Sequence, residues 1–317
     1  MKRILLCGGT GFLGRNVLHR LFAQDYNIRA VYHDRQPPDG YDNVEWVQAD
    51  LTCQEDVARV VDGVDVIIQL AAKNASGAKE GLEKPWLSVT DNAIMNSLLL
   101  REASKKQIEK FIFPSCTVMY QSSDTPIKEE DFDAGVDPYP KYFGQGWTKV
   151  YIEKMCEFYS KLPNNKTKFT VFRHSNVYGP YDKFDLEKSH VCAATITKVM
   201  KNDSGKVIVW GSGQEKRDLL YVDDFVDFIE ACLVKQRQEY LFLNVGTANA
   251  VPIQSLVETA VSVSGKDLKI ENDLTKPTIP TSLCLDYTKA KNTLGWSPKT
   301  SLREGLKKTM DWYKENY

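Results

Sequence analysis

The chain has 317 residues, 42% of them apolar, and a formal net charge of −1. Such a balance supplies no basic surface for nucleic acid and none for an anionic membrane. The length exceeds what one small core needs and fits a large α/β domain with a smaller lobe.

The first apolar run, 3–7, reads as a buried strand. Gly8, Gly11 and Gly14 follow at intervals of three, and from Phe12 the apolar residues recur at helical spacing over 12–24. A strand, a glycine turn and a helix N-terminus together hold a pyrophosphate. The first glycine permits the tight turn, the second lets backbone approach the phosphates, and the third lets helix pack on strand. The same spacing would also serve a tight packing turn with no ligand. Further β runs are expected at 28–32, 44–48, 65–70, 110–114 and 168–173, with helices at about 54–61, 85–106 and 142–162. Strands separated by helices predict a parallel, doubly wound sheet. At the end of the second strand stand Tyr32, His33, Asp34 and Arg35. An acid there binds an adenosine 2′-hydroxyl and a base meets a 2′-phosphate, so this run points both ways. Asp50 ends the next strand, where it can meet the adenine or cap the helix that starts near Cys53.

Residues 121–140 read as a polar loop. The second half changes character, with a Gly/Pro/charge-rich stretch at 176–190, helices at about 189–202 and 223–235, strands at 206–210 and 241–244, and a helix from 302 onward. This half reads as too broken for a second independent core. The expected division is a Rossmann domain over 1–175, to which the strand near 241–244 returns, and a smaller substrate lobe over 176–317. No apolar run reaches the roughly 18 residues of a membrane span, and the start lacks a signal-peptide pattern, so the expected compartment is the cytoplasm. Seven cysteines without a CxxC pair predict reduced, mostly buried thiols. The four histidines lack metal-ligand spacing, so no metal is expected.

The segments Gly8–Gly14, Gln69-Leu70-Ala71-Ala72, Asn176-Val177-Tyr178-Gly179-Pro180, Val222-Asp223-Asp224 and Leu294-Gly295-Trp296 resemble the extended short-chain dehydrogenase/reductases, enzymes that modify nucleotide sugars. The resemblance implies a Rossmann-type sheet with a C-terminal substrate lobe. It also implies NAD or NADP held by Gly8, Thr10, Gly11, Phe12, Leu13, Gly14, Tyr32, His33, Asp50, Leu51, Leu70, Ala71, Ala72 and Lys149. Within that family the chain is most similar to the GDP-L-fucose synthase branch of 3,5-epimerase/4-reductases, on residues 176–184, Ser189-His190-Val191 and Val209-Trp210-Gly211-Ser212-Gly213 with Arg217. Carried over, Asn176, Ser189, His190, Lys198, Trp210 and Arg217 would bind a GDP-linked sugar. A diphosphate needs cations such as Arg217 and Lys198, and a base can lie on an indole. Arg217 in a surface ion pair is the competing expectation. That branch prefers NADP through arginines at places that here hold Thr10 and Tyr32-His33, so the balance leans to NAD, with Arg35 pulling the other way. Relatives pair through the two long helices, which implies a homodimer.

The family's reaction centre is a Ser or Thr with a Tyr four residues before a Lys. Lys149 fits, but Gln145 stands at the tyrosine position, and glutamine cannot exchange a proton as phenol does. Tyr142 is the nearest substitute, reachable if the helix breaks at Gly144, or else an ordinary packing residue. Cys116 aligns with the catalytic Ser or Thr, and the neighbouring Thr117 can supply the hydroxyl. His190 matches the branch's epimerisation histidine, whereas Val118 holds the place of its cysteine unless Cys116 shifts into that role. The sequence therefore predicts redox chemistry at C4 of a GDP-hexose or GDP-heptose. Its rivals are a complete epimerase/reductase and a catalytically degenerate subunit that binds cofactor or nucleotide sugar.

Overall fold

Strand β1 (Arg3–Cys7) lies inside a seven-stranded sheet. The computed structural model describes residues 2–73, 86–186, 189–276 and 278–317. On one side of β1 lie β2 (Asn27–Tyr32) and β3 (Glu45–Gln48). On the other lie β4 (Val66–Gln69), β5 (Lys110–Ser115), β6 (Lys168–His174) and, last in space, β10 (Tyr240–Val245). Every neighbouring pair from β6 to β3 is parallel. The order reverses at β1, which makes the carboxyl ends of β1 and β4 the switch point where open α/β sheets bind ligands.

The strands are near-continuous apolar runs because both faces of a parallel sheet are covered by helices. Those helices are α1 (Phe12–Phe22), α2 (Gln54–Val61), α3 (Asn92–Lys106), α4 (Phe143–Ser160) and α6 (Val222–Lys235). One core cluster joins Leu5, Ile67, Phe111 and Phe169 of the sheet to Val57 of α2, Leu99 of α3 and Ile152 of α4. Two buried cations cross-brace the elements by donating to backbone carbonyls. Arg29 reaches Val60 and Asp62 at the end of α2 at 2.8 and 2.7 Å. Lys110 reaches Cys232 and Leu233 near the end of α6. Each supplies positive charge where a helix has unpaired carbonyls.

The structure departs from the expected continuous helix over 85–106. A π-helical turn occupies Leu87–Asp91 before α3 begins, and residue 85 lies outside the described residues. Polar ties explain the irregularity: the Asn92 amide donates to the carbonyls of Ser88 and Lys73 and accepts from the Lys73 N–H. The loop over 121–140 also has structure, with 3-10 turns at Glu129–Asp131 and Pro140–Tyr142 and a bridge from Ile127 to Leu285.

The chain divides into two compact units. The first comprises Met1–Met119, Ala134–Arg173 and Val226–Leu243, and the second Tyr120–Asp133, His174–Phe225 and Asn244–Tyr317. The second unit carries β7 (Asn176–Tyr178), α5 (Val191–Met200), β8 (Lys206–Trp210), β9 (Lys216–Tyr221), β11 (Ala250–Pro252), α7 (Ile253–Ser264), β12 (Lys269–Asp273), β13 (Ser282–Leu283), α8 (Thr288–Leu294) and α9 (Leu302–Asn316). Its sequence reads as broken because its strands are short. Even so, Leu220, Leu256, Leu285, Leu306 and Met310 are all fully buried, and β9 pairs with β7, β11 and β13. Two buried carboxylates replace regular structure there. Asp218 accepts from the Thr247 and Leu285 N–H groups, and Asp224 accepts from those of Lys299 and Thr300.

Candidate active site

The glycine turn assigns a different task to each glycine. Gly8 has φ +77°, a conformation that side chains disfavour, and a Cβ there would also press on Ala71. A Cβ on Gly14 would land on the Gly8 carbonyl, so helix α1 can sit close to the turn only without one. Gly11 has ordinary φ and meets only the Gly8 carbonyl at 3.3 Å; beyond it the space is open. That space is a cavity of about 360 Å³. Gly8, Thr10 and Gly11 line it from the turn, and Tyr32, His33, Asp34 and Arg35 from the end of β2. Asp50 and Leu51 line it after β3, and Leu70, Ala71 and Ala72 after β4. Phe12, Leu13 and Gly14 lie outside this lining, at the start of α1. The first turn of α1 carries no acidic residue, which leaves its amide end open to an anion. The cradle therefore fits the pyrophosphate and adenosine of a dinucleotide.

Side-chain ties fix the walls. Gln69, fully buried, donates to the Ala71 carbonyl and the Asn96 side chain, both at 3.2 Å. Arg35 donates to the Thr10 carbonyl at 3.1 Å, tying the end of β2 to the glycine turn. Asp50 does not cap α2, whose first flanking residue is Cys53. It forms a turn of its own, accepting from the Thr52 N–H and hydroxyl at 2.9 and 2.7 Å. Burial would raise its carboxyl, but those hydrogen bonds and the charges of His33 and Lys73 hold it below the usual range. The lining also includes Val31, Ala49, Lys73 and Met95, which sequence reasoning missed. Met95 gave no signal beyond helical spacing, because its role comes from packing of α3 beneath the turn after β4.

At the carboxyl end of β5 stand Ser115, Cys116 and Thr117, opposite α4. Lys149 reaches across to the Pro114 carbonyl at 3.3 Å, with its ammonium 4.7 Å from the Phe113 ring centre. Burial lowers this ammonium from the ordinary lysine value, opposed by the charges of Cys116 and Glu153. Burial raises the half-buried Cys116 thiol, and Lys149 works against that rise. Thr117 is buried and Val118 half-buried. Gln145 lies within α4, one turn before Lys149. Tyr142 precedes the helix, at the end of the 3-10 turn, with its ring 6.2 Å from that of Tyr139. No break occurs at Gly144. That glycine is helical, and a Cβ on it would meet the Val89 side chain at 2.9 Å.

In the second unit, Lys198 of α5 places its ammonium 5.4 Å from the ring of Trp210, an exposed residue at the end of β8. Arg217 is held by backbone. It donates to the carbonyls of Lys216 at 2.7 Å, Thr281 at 2.5 Å and Ile279 at 3.0 Å. These bonds clamp the guanidinium onto 279–281. Asn176 donates to the Asp218 carbonyl at 3.3 Å, and Ser189 N–H donates to the Asp185 carbonyl at 2.8 Å. His190 is exposed and precedes the first residue of α5. Among the described residues, no group of three acidic, histidine or cysteine side chains could hold a metal, and no helix is long and apolar enough to cross a membrane. All seven cysteines are free thiols, five of them buried.

A family model described as NAD dependent epimerase/dehydratase matches residues 4–246. A GDP-L-fucose synthase of Sinorhizobium fredii is 30% identical over 322 residues, covering 99% of this chain and 96% of that protein. A putative UDP-glucose 4-epimerase of Methanocaldococcus jannaschii is 25% identical, with 99% of each chain covered. The structure of UDP-glucose 4-epimerase from Thermotoga maritima with UDP-glucose superposes with a TM-score of 0.82 at 26% identity, covering 99% of both chains. The cradle at the switch point and the match that begins on its first strand have one reading: the chain is an enzyme of the NAD dependent epimerase/dehydratase family.

Proposed function

We propose that the protein is an NAD-dependent oxidoreductase acting at C4 of a nucleotide-activated sugar, specifically a GDP-hexose or GDP-heptose. The observation that carries this reading is the 30% identity to a GDP-L-fucose synthase over nearly the whole of both chains. UDP-sugar epimerases are also similar, so the nucleotide is what an experiment must separate. Bound NAD supplies the hydride acceptor, or in reduced form the donor. Lys149 orients the nicotinamide ribose from α4, and Thr117 holds the sugar hydroxyl at the end of β5. Gln145 positions a hydrogen-bond partner where relatives shuttle a proton. Lys198 and Arg217 supply positive charge for the diphosphate, and Trp210 supplies a face for the base. A single redox step is favoured over 3,5-epimerisation because Val118 and Gln145 each remove a proton-transfer group, even though His190 and Cys116 remain.

The same reading includes a homodimer through α3 and α4. Phe143, Tyr151 and Phe158 on one side of α4 are each more than half exposed, and Ile94 on α3 is 41% exposed. Large apolar side chains exposed along one side of a helix favour an association surface there.

Purified protein mixed with NAD or NADH and a panel of GDP- and UDP-sugars tests the activity by single-turnover NADH absorbance. Change with a GDP-sugar supports the proposal. Turnover with UDP-sugars alone overturns the GDP assignment, and nucleotide-sugar binding without any turnover assigns the chain to a binding role.

A further inference from the structure

Beneath Lys149 lies a buried ion pair that the chemistry above does not use. Glu153 follows Lys149 by four residues on α4, so the two side chains share a face. Arg173 comes from β6, where its backbone is in register with Ser115 of β5. The guanidinium binds Glu153 through two hydrogen bonds, Nε to Oε1 at 3.0 Å and Nη2 to Oε2 at 2.7 Å. Both side chains are almost wholly buried, at 5% and 2% exposure. The Phe242 ring of β10 closes the other side, 5.0 Å from the guanidinium carbon.

A buried ion pair is a poor device for stability, since apolar residues of similar volume do as well or better. This one sits where the reaction centre needs a fixed charge. We propose that the Glu153–Arg173 pair is the positioning device for Lys149: Arg173 pins the carboxylate one helical turn beyond the lysine, and that carboxylate keeps the side chain an ammonium aimed at the end of β5. The proposal rests on the assignment of Lys149 to the nicotinamide ribose. Three observations support it. Two-point binding by a planar guanidinium fixes the carboxylate in orientation as well as in place. The ammonium has a carbonyl acceptor at Pro114 and an aromatic face at Phe113, both satisfied only by the charged form at full strength. The Glu153 carboxylate, on the same helical face, favours the charged form of Lys149, with burial as the opposing influence. The pair contacts no substrate or cofactor, so its members are positioning residues.

The test reads the ammonium itself, without turnover. Protein labelled with 15N at lysine Nζ is titrated by NMR, with the Lys149 signal assigned by its loss in Lys149→Arg. Glu153→Gln is expected to move the Lys149 midpoint down by about one pH unit or more, as loss of an opposite charge at this range requires. The alkaline limb of kcat should move by the same amount while KM for the nucleotide sugar stays within twofold. Glu153→Gln leaves Arg173 buried without its partner, so Glu153→Gln/Arg173→Met supplies a fold with neither charge. It should recover the urea midpoint lost in the single variant yet keep the lowered Lys149 titration. Glu153→Asp should restore part of the shift. An unmoved Lys149 midpoint in the folded double variant reduces the pair to a structural brace and overturns the proposal. A moved midpoint in a protein with no turnover on any sugar keeps the proposal and sinks the functional reading instead.

Discussion

Position 145 trades a group that exchanges protons for one that only hydrogen-bonds. A positioned general acid or base contributes roughly 10²–10⁴-fold, so the slow step in this protein should be proton transfer at the sugar oxygen. Gln145→Tyr is therefore expected to raise the single-turnover rate of C4 oxidation or reduction by at least tenfold, and Tyr142→Phe to lower it no more than a few-fold. Lys149→Ala should nearly abolish it. Tyr142 stands outside α4, on the preceding 3-10 turn, so a direct role for it needs a reach that the helical face of Lys149 does not supply. A Tyr142→Phe protein as inactive as Lys149→Ala would transfer the proton-shuttling role to Tyr142.

The glycine turn is the element whose geometry was most legible in the sequence, because each glycine answers a local constraint that spacing alone records. Gly11→Val is expected to abolish NAD binding by calorimetry while the thermal midpoint changes little. Gly11 lines the cavity, and the one atom an added Cβ would press on is the Gly8 carbonyl at 3.3 Å. Wild-type affinity in the folded variant would remove the dinucleotide from this turn. The strands of the first unit were legible for a similar reason, since burial on both faces imposes continuous apolar runs. What escaped the sequence was made by partners far apart in the chain. Asn92 replaces helical periodicity by binding Lys73, Gly146 is small because Pro138 packs on it, and Arg217 is held by carbonyls of 279–281. Nothing in the spacing of Glu153 and Arg173 announces that they meet, and the short strands of the second unit hid a core that Asp218 and Asp224 tie together with backbone hydrogen bonds.

For the molecule as a whole, two buried carboxyls of the second unit set a pH dependence. Burial pushes both Asp182 and Asp218 up to about 6, the former opposed by His190 and the latter by hydrogen bonds from Thr247 and Leu285. Each folded-state value lies above the unfolded one of 3.8. Between about pH 4 and pH 6 the folded state holds protons that the unfolded state has released, so stability falls as pH rises through that window. The combined effect is expected to be a few kcal/mol, read as a urea midpoint lower at pH 7 than at pH 4.5. Asp182→Asn should flatten that dependence, and a wild-type midpoint that rises with pH across the window contradicts it. Quaternary structure offers a second whole-molecule test. Phe158→Glu on the exposed stripe of α4 should convert a sedimenting dimer to monomer with the fold intact. A variant that sediments as the wild type does would free that face from the dimer.

The place of β10 at the edge of the sheet has a consequence for biosynthesis. Residues 240–245 leave the ribosome some seventy positions after the strand they cover, β6 (Lys168–His174). Phe172 of that strand also waits for Phe228 of α6, whose ring packs 4.6 Å from its own. Until both arrive, the nascent chain carries an open strand edge and a bare aromatic face, the two features that most invite wrong pairing. The growing polypeptide is thus most exposed to aggregation and most dependent on chaperones during translation of the intervening stretch, most of which builds the second unit.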